Sequence, residues 1–227
     1  MNINDCPVII LAGGASRRMG TPKGLLDYGG QPWLLRQFDT LSKHGIGRVV
    51  TVLGYHNAAY KKAIPVLRKS ENSWTEHDNL SIATLTNPAP EYGPFSSLMC
   101  AVRWLKESSP PLHIFLLHVD VPAPDKIVWE KLYAAMGDKA VKAAIPQYNG
   151  KGGHPVCLSF SFLDTLLEIP LDTPEARLDA QISQLAPSAV RQIAVQDANV
   201  TLNLNSLEDW REYLYGLCER KKLHAGH

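Results

Sequence analysis

Charge of one sign, paired cysteines and long apolar runs are what this chain lacks. Its 23 lysines and arginines stand against 22 aspartates and glutamates, a formal net charge of +1. A chain this close to neutral has no long-range field to draw in nucleic acid or an anionic membrane surface, and neither partner is expected. No stretch approaches the roughly 18 consecutive apolar residues of a membrane-spanning helix. The first residues carry no basic segment followed by a long apolar one, so no secretory leader is expected either. The four cysteines, Cys6, Cys100, Cys157 and Cys218, lie far apart, with no Cys-x-x-Cys pair and no zinc spacing. They read as reduced thiols of a cytoplasmic protein, three of them in or beside apolar runs. Internal repeats and low-complexity stretches are absent.

Two familiar phosphate motifs are missing as well. A P-loop requires Gly-Lys-Ser/Thr, but Lys23 lies between Pro22 and Gly24. The dinucleotide fingerprint requires Gly-x-Gly-x-x-Gly, but Gly13 and Gly14 are adjacent.

What is present begins at residues 6–26, CPVIILAGGASRRMGTPKGLL. An apolar run at 8–11 reads as a buried strand, and it opens into a loop of Leu11, Ala12, Gly13, Gly14 and Ser16. Glycines let backbone N–H groups close in on an anion. Arg17, Arg18 and Lys23 add positive charge, the arginines with bidentate geometry. The combination predicts a cradle for a diphosphate or triphosphate.

The length of 227 residues, 45% apolar, suits one α/β domain with at most a small extension. Strands are predicted at 8–11, 49–53, 82–86, 114–119, 140–145, 154–158, 190–195 and 200–204, with a short one near Val66. Helices are predicted at 33–43, 56–62, 95–104, 125–136, 160–168, 176–185 and 207–217, with Asp125 as an N-cap. Residues 71–80 read as a short helix or loop, and 146–153 as a turn-rich loop. Strand–helix–strand alternation implies a mostly parallel sheet between two helical layers, a three-layer α/β/α sandwich that is Rossmann-like. One domain is expected over 1–218, followed by a charged, frayed tail at 219–227. In such sheets ligands gather beyond the carboxyl ends of the strands. Asp120 follows an apolar strand at that end, where a lone carboxylate suits Mg²⁺ that keeps waters and phosphate oxygens as its other ligands.

The loop from Leu11 to Gly20, Leu-Ala-Gly-Gly-x-Ser-x-Arg-Met-Gly, followed by Lys23, resembles the signature loop of the MobA-like nucleotidyltransferases. That family includes the molybdenum cofactor guanylyl- and cytidylyltransferases and is related to sugar-phosphate nucleotidyltransferases. Four further segments resemble the family in the same order. Leu-Leu-His-Val-Asp120-Val-Pro122 is similar to its metal-binding Asp-x-Pro. Asn87-Pro-x-x-x-x-Gly93-Pro-Phe-Ser-Ser97-Leu is similar to its second nucleotide segment, where Asn87 would suit a base edge or ribose and Ser96 or Ser97 would open a helix. Gly153-His154-Pro155 resembles its acceptor loop, with Lys151 beside it and Arg177 more loosely matched. The segment 202–209 resembles its closing motif, with Asn205 at the second metal position.

The resemblance implies a nucleotide-diphospho-sugar transferase-like fold. It implies transfer of a nucleotide from GTP or CTP to a phosphorylated acceptor such as molybdopterin, with Mg²⁺ as cofactor. The catalytic set is then Lys23, Arg17, Arg18 and Asp120. Leu11 to Gly14, Ser16, Arg18, Lys23, Asn87, Gly93 and Ser97 would hold nucleotide. Gly153, His154, Pro155 and Arg177 would hold the acceptor, and Asp120 and Asn205 the metal. A sugar- or polyol-phosphate acceptor, or a nucleotide-binding accessory protein without catalysis, are the alternatives. A monomer or weak oligomer that touches molybdoenzymes or cofactor-synthesis proteins is expected.

Overall fold

A computed structural model of the chain describes residues 3–16 and 19–225. Its first strand, Val8–Ala12 (β1), is buried at all five positions. A strand with no polar face has to be covered on both sides, which is the condition of an inner parallel strand. Eight more strands join its sheet: Arg48–Leu53 (β2), Thr75–His77 (β3), Leu80–Thr86 (β4), His113–His118 (β5), Ala143–Tyr148 (β6), Lys151–Gly152 (β7), Val156–Ser159 (β8) and Val190–Ala194 (β9). The order is β9-β6-β8-β5-β1-β2-β4-β3, with β7 folded back on β6. The centre, β5-β1-β2-β4, is parallel throughout. β8 runs antiparallel between β5 and β6, and edge strand β3 is antiparallel to β4.

The helices are Trp33–Lys43 (α1), Asn57–Ala63 (α2), Pro65–Lys69 (α3), Gly93–Ser108 (α4), Lys126–Ala135 (α5), Phe160–Thr165 (α6), Leu178–Ser183 (α7) and Leu207–Ala225 (α8). Strand alternation sends β1 side chains into two cores. Val8, Ile10 and Ala12 pack with Phe38 and Leu41 of α1, Trp129 of α5 and Trp210 of α8. Ile9 and Leu11 pack with Phe95, Leu98 and Val102 of α4 and with Leu163 of α6. This is the expected three-layer sandwich. Each fully buried Ile or Leu here contributes about 1.5–3 kcal/mol. None of the described helices is long and apolar enough to cross a membrane.

Several local expectations change. Residues 65–69 form a helical turn rather than a strand, because Pro65 occupies the first helical position, where its missing N–H costs nothing. The stretch 71–80 contains strand β3, whose pairing with β4 supplies what its polar sequence does not advertise. Residues 200–204 are not a strand. Ala198–Thr201 is a 3₁₀ turn, with the Asp197 carboxylate accepting from the Asn199 N–H. Asp125 makes no side-chain cap; its own N–H donates to the Asp197 carboxylate at 2.7 Å. Helix α8 continues through residues read as a frayed tail.

The segment around Asp120 is held from α1. The Trp33 indole N–H donates to the Val119 carbonyl at 2.7 Å. Gln37 is 1% exposed, donates to the Val121 carbonyl at 2.7 Å and accepts from the Ala123 N–H at 3.0 Å. One buried amide therefore satisfies two backbone groups that would otherwise be orphaned. Gln37→Leu is expected to destabilise the fold by about 1–3 kcal/mol, read as a lower urea midpoint at unchanged slope.

Candidate active site

The glycine-rich loop, Asp120 and Asn205 meet at the carboxyl ends of the parallel strands. The loop is seated by a backbone contact that only glycine permits. A Cβ on Gly54, at the end of β2, would lie 2.4 Å from the Gly13 carbonyl oxygen. The Tyr55 N–H donates to that same carbonyl at 3.3 Å, and His56 Nε2 lies 2.9 Å from the Ala15 carbonyl. Ser16 takes φ +48° and accepts the Lys23 backbone N–H at 3.3 Å. Behind Lys23, the buried Tyr60 hydroxyl accepts the Gly24 N–H at 2.9 Å. Burial pushes the Tyr60 phenol up to about 12.

The Lys23 ammonium sits between two oxygens, 2.6 Å from Asp120 Oδ2 and 2.7 Å from Asn205 Oδ1. The two charged side chains are only 18% and 17% exposed, so water screens the pair less than it would at the surface. Asn205 is held there by its neighbours. The Leu204 N–H donates to the Asp120 carbonyl at 2.8 Å. Asp209 accepts the Asn205 and Ser206 N–H groups at 2.9 and 2.8 Å, while the Ser206 hydroxyl accepts the Asp209 N–H at 3.1 Å. That reciprocal pair opens α8 and aims Asn205 into the site.

These groups line a cavity of about 380 Å³, with Leu11, Ala12, Gly13, Gly14, Ser16, Gly93 and Ser97 on its other walls. A second cavity, of about 760 Å³, adjoins it. Its walls are mainly apolar, including Phe95, Leu98, Val156 and Ile182, and it takes in Gly153, His154, Arg177 and Asp179. Leu11, Pro94 and His118 border both cavities.

Nearly all of the expected residues therefore come together. Gly153 is required where it stands, since a Cβ would lie 1.9 Å from the Val200 carbonyl. Three placements differ from expectation. Asn87 is 4% exposed and spends its amide on the fold, donating to the Ser96 and Ser97 hydroxyls at 2.8 and 3.0 Å and accepting from the Ala89 N–H at 2.9 Å. It anchors the turn before α4 and lines neither cavity. Helix α4 begins at Gly93, so Ser96 and Ser97 lie inside its first turns rather than opening it. Pro155 is buried beneath the wall of the larger cavity without lining it. Arg177 is exposed and forks onto Asp179 at 3.2 and 2.7 Å. Arg17 and Arg18 lie outside the described residues.

Sequence reasoning missed Gly54, Tyr60, Trp33 and Gln37. Each acts through a tertiary contact, and no local motif marks it. No cluster of three or more His, Cys, Asp or Glu capable of holding a metal occurs among the described residues. In the smaller cavity Asp120 and Asn205 offer hard oxygens that converge on one cation.

The family described as the MobA-like NTP transferase domain matches residues 8–188. The chain belongs to this family. Among curated relatives, the molybdenum cofactor guanylyltransferase of Sinorhizobium fredii is 28% identical over 118 residues, 52% of this chain and 46% of that protein. The mannose-1-phosphate guanyltransferase of Saccharomyces cerevisiae is 24% identical over 202 residues, 85% of this chain and 53% of that protein. The chain thus spans about half the length of these relatives. The crystal structure of an Rv0371c homologue from Mycobacterium sp. strain JC1 superposes with a TM-score of 0.71 at 24% identity, covering 95% of this chain and 98% of that one. Rv0371c of Mycobacterium tuberculosis, solved in complex with manganese, gives 0.66 at 21% identity, covering 92% and 97%. At these identities the likeness shows the fold alone.

His154 supplies a pH test of this wall. Burial, reinforced by the neighbouring His118, pushes its imidazole down to about 4. The unfolded chain binds that proton near the ordinary value of about 6.5, and the folded chain only near 4. The stability His154 contributes is therefore full above the unfolded value and is lost as pH falls through the window between the two. The thermal midpoint of the wild type should drop over that window more steeply than that of His154→Asn.

Proposed function

We propose that this domain is a nucleotidyltransferase that moves a nucleotide from GTP or CTP to the phosphate of molybdopterin and releases pyrophosphate. The observation that carries this reading is the pairing of two cavities at one wall. One holds a glycine loop, Lys23 and a carboxylate. The other is larger and mainly apolar, and a flat heterocycle packs on such walls better than a polyol does.

In the reaction, an oxygen of the acceptor phosphate forms a bond to the α-phosphorus. The bond from that phosphorus to the bridging oxygen of the β-phosphate breaks, and pyrophosphate leaves with the electron pair. A phosphomonoester is largely dianionic at pH 7, so no general base is needed. Backbone N–H groups of the loop and Lys23, with Arg17 and Arg18 beside it in sequence, bind the triphosphate. Asp120 and Asn205 would hold Mg²⁺. Their oxygens already converge on a cation in the form of the Lys23 ammonium, and two hard oxygens suit an ion whose remaining ligands are waters and phosphates. Such an ion supplies charge compensation for the phosphate oxygens. On this reading Lys23 exchanges its two protein oxygens for phosphate oxygens when nucleotide arrives. We place the reaction in the cytoplasm, in a monomer or weak oligomer that passes its product to molybdoenzymes. The mannose-1-phosphate guanyltransferase among the relatives keeps a sugar phosphate as the second acceptor class.

The test is pyrophosphate release from each of GTP, CTP, ATP and UTP with Mg²⁺, with molybdopterin or mannose 1-phosphate as acceptor. Release should require molybdopterin and one preferred nucleotide. Lys23→Ala and Asp120→Ala should each lower it by about 10²-fold or more. Unchanged turnover in both variants would sink the mechanism. Nucleotide binding without release on either acceptor would favour an accessory protein.

A further inference from the structure

His118 ends β5 two residues before Asp120. It is the polar side chain on the wall between the cavities; the other two residues bordering both are Leu11 and Pro94. Its place follows from strand register. Val156 of β8 pairs with Leu116 of β5 in antiparallel fashion. Two residues nearer the ligand end, that register brings His118 opposite His154. Their rings meet edge to face, with centroids 4.6 Å apart and planes at 62°. His154 Nδ1 faces the Leu116 carbonyl at 3.4 Å. The His118 ring makes no hydrogen bond to the described residues, so its donor is unspent on a wall that both substrates would touch.

Each cavity holds one ion pair, Lys23 with Asp120 in the smaller and Arg177 with Asp179 in the larger. In the proposed complex Asp120 and Asn205 would take the metal ion and Lys23 would turn to phosphate, which gathers positive charge on the triphosphate side alone. Positive charge beside the triphosphate stabilises the leaving pyrophosphate. Positive charge fastened to the attacking phosphate would instead draw electron density from the nucleophile. A neutral N–H orients such an oxygen while leaving its charge largely in place.

We propose that His118 binds the acceptor's phosphate, its imidazole N–H donating to one non-bridging oxygen so that another oxygen of the same group faces the α-phosphorus. His154, packed edge-on, keeps the ring in that orientation. This assignment rests on the transfer reaction proposed above. It makes His118 a contact residue for the nucleophile, distinct from the groups that hold nucleotide and metal.

Steady-state kinetics of wild type, His118→Phe and His118→Asn test it, with molybdopterin varied at saturating nucleotide and nucleotide binding measured by calorimetry. His118→Phe should lower kcat/KM for the acceptor by roughly tenfold to a hundredfold, the scale of a misplaced nucleophile, and leave the nucleotide Kd within about twofold. His118→Asn, which keeps an N–H donor, should recover part of the loss. Unchanged acceptor kcat/KM in His118→Phe, or an equal loss of nucleotide affinity, overturns the assignment. Thermal midpoints check folding, and His118→Leu replaces the Phe variant if the larger ring is not accommodated. A binding arm separates this assignment from the reaction itself. Inorganic phosphate is titrated onto wild type loaded with Mg²⁺ and an α,β-methylene nucleotide, and the His118 ring resonances are followed by NMR. A phosphate-dependent shift upholds the contact even if no acceptor turns over. No shift at saturating phosphate overturns it.

Discussion

The Lys23 ammonium, held between Asp120 and Asn205, is the interaction on which the site depends. It joins a loop after the first strand, the end of a central strand and the turn before the last helix. Three segments so distant in sequence meet because β1 and β5 are parallel neighbours and because the chain returns to Asp120 through the bond from the Leu204 N–H to its carbonyl. A cation between two oxygens is also the arrangement that a divalent ion would inherit. The same geometry thus serves the protein without nucleotide and the proposed complex with it.

That site rests on buried polar side chains that hold its backbone. Trp33 and Gln37 grip the backbone on both sides of Asp120, and Tyr60 grips Gly24 next to Lys23. A buried hydrogen bond adds only about 1 kcal/mol net, but leaving its partner unsatisfied costs more, so each such group admits few alternative backbone positions. Precision in the functional groups is produced in this way one layer behind them. Backbone packing does the same for the loop, where Gly13 and Gly54 approach more closely than any side chain would allow.

The reversed strand β8 has the largest functional consequence in the sheet. A parallel strand at that position would carry its first residues to the far end of the sheet. Running antiparallel, β8 begins where β5 ends, and Gly153 and His154 therefore stand beside His118. The second cavity opens there, bounded by α4, α7 and the 3₁₀ turn at Ala198–Thr201.

Much of this was legible in the chain itself. The apolar run into Ala12-Gly13-Gly14, the helical spacing after Trp33, and Asp120 at the end of an apolar strand are local patterns. Local patterns persist whatever the rest of the chain does, because backbone sterics and the two periodicities produce them. The residues that line the smaller cavity were therefore identifiable, as was the sandwich. Asn87 shows the limit: its chemistry suited a base, but two serines of the following helix claim its donors, and no spacing rule foretells that competition. The direction of β8, the strand at Thr75–His77, the turn in place of a strand at 200–204, and the tethers from Trp33, Gln37 and Tyr60 depend on partners far along the chain. Sequence by itself determined which residues carry charge, flexibility and apolar faces. Tertiary structure decided which of them meet, because pairing direction and buried hydrogen bonds are properties of two segments and are written in neither alone.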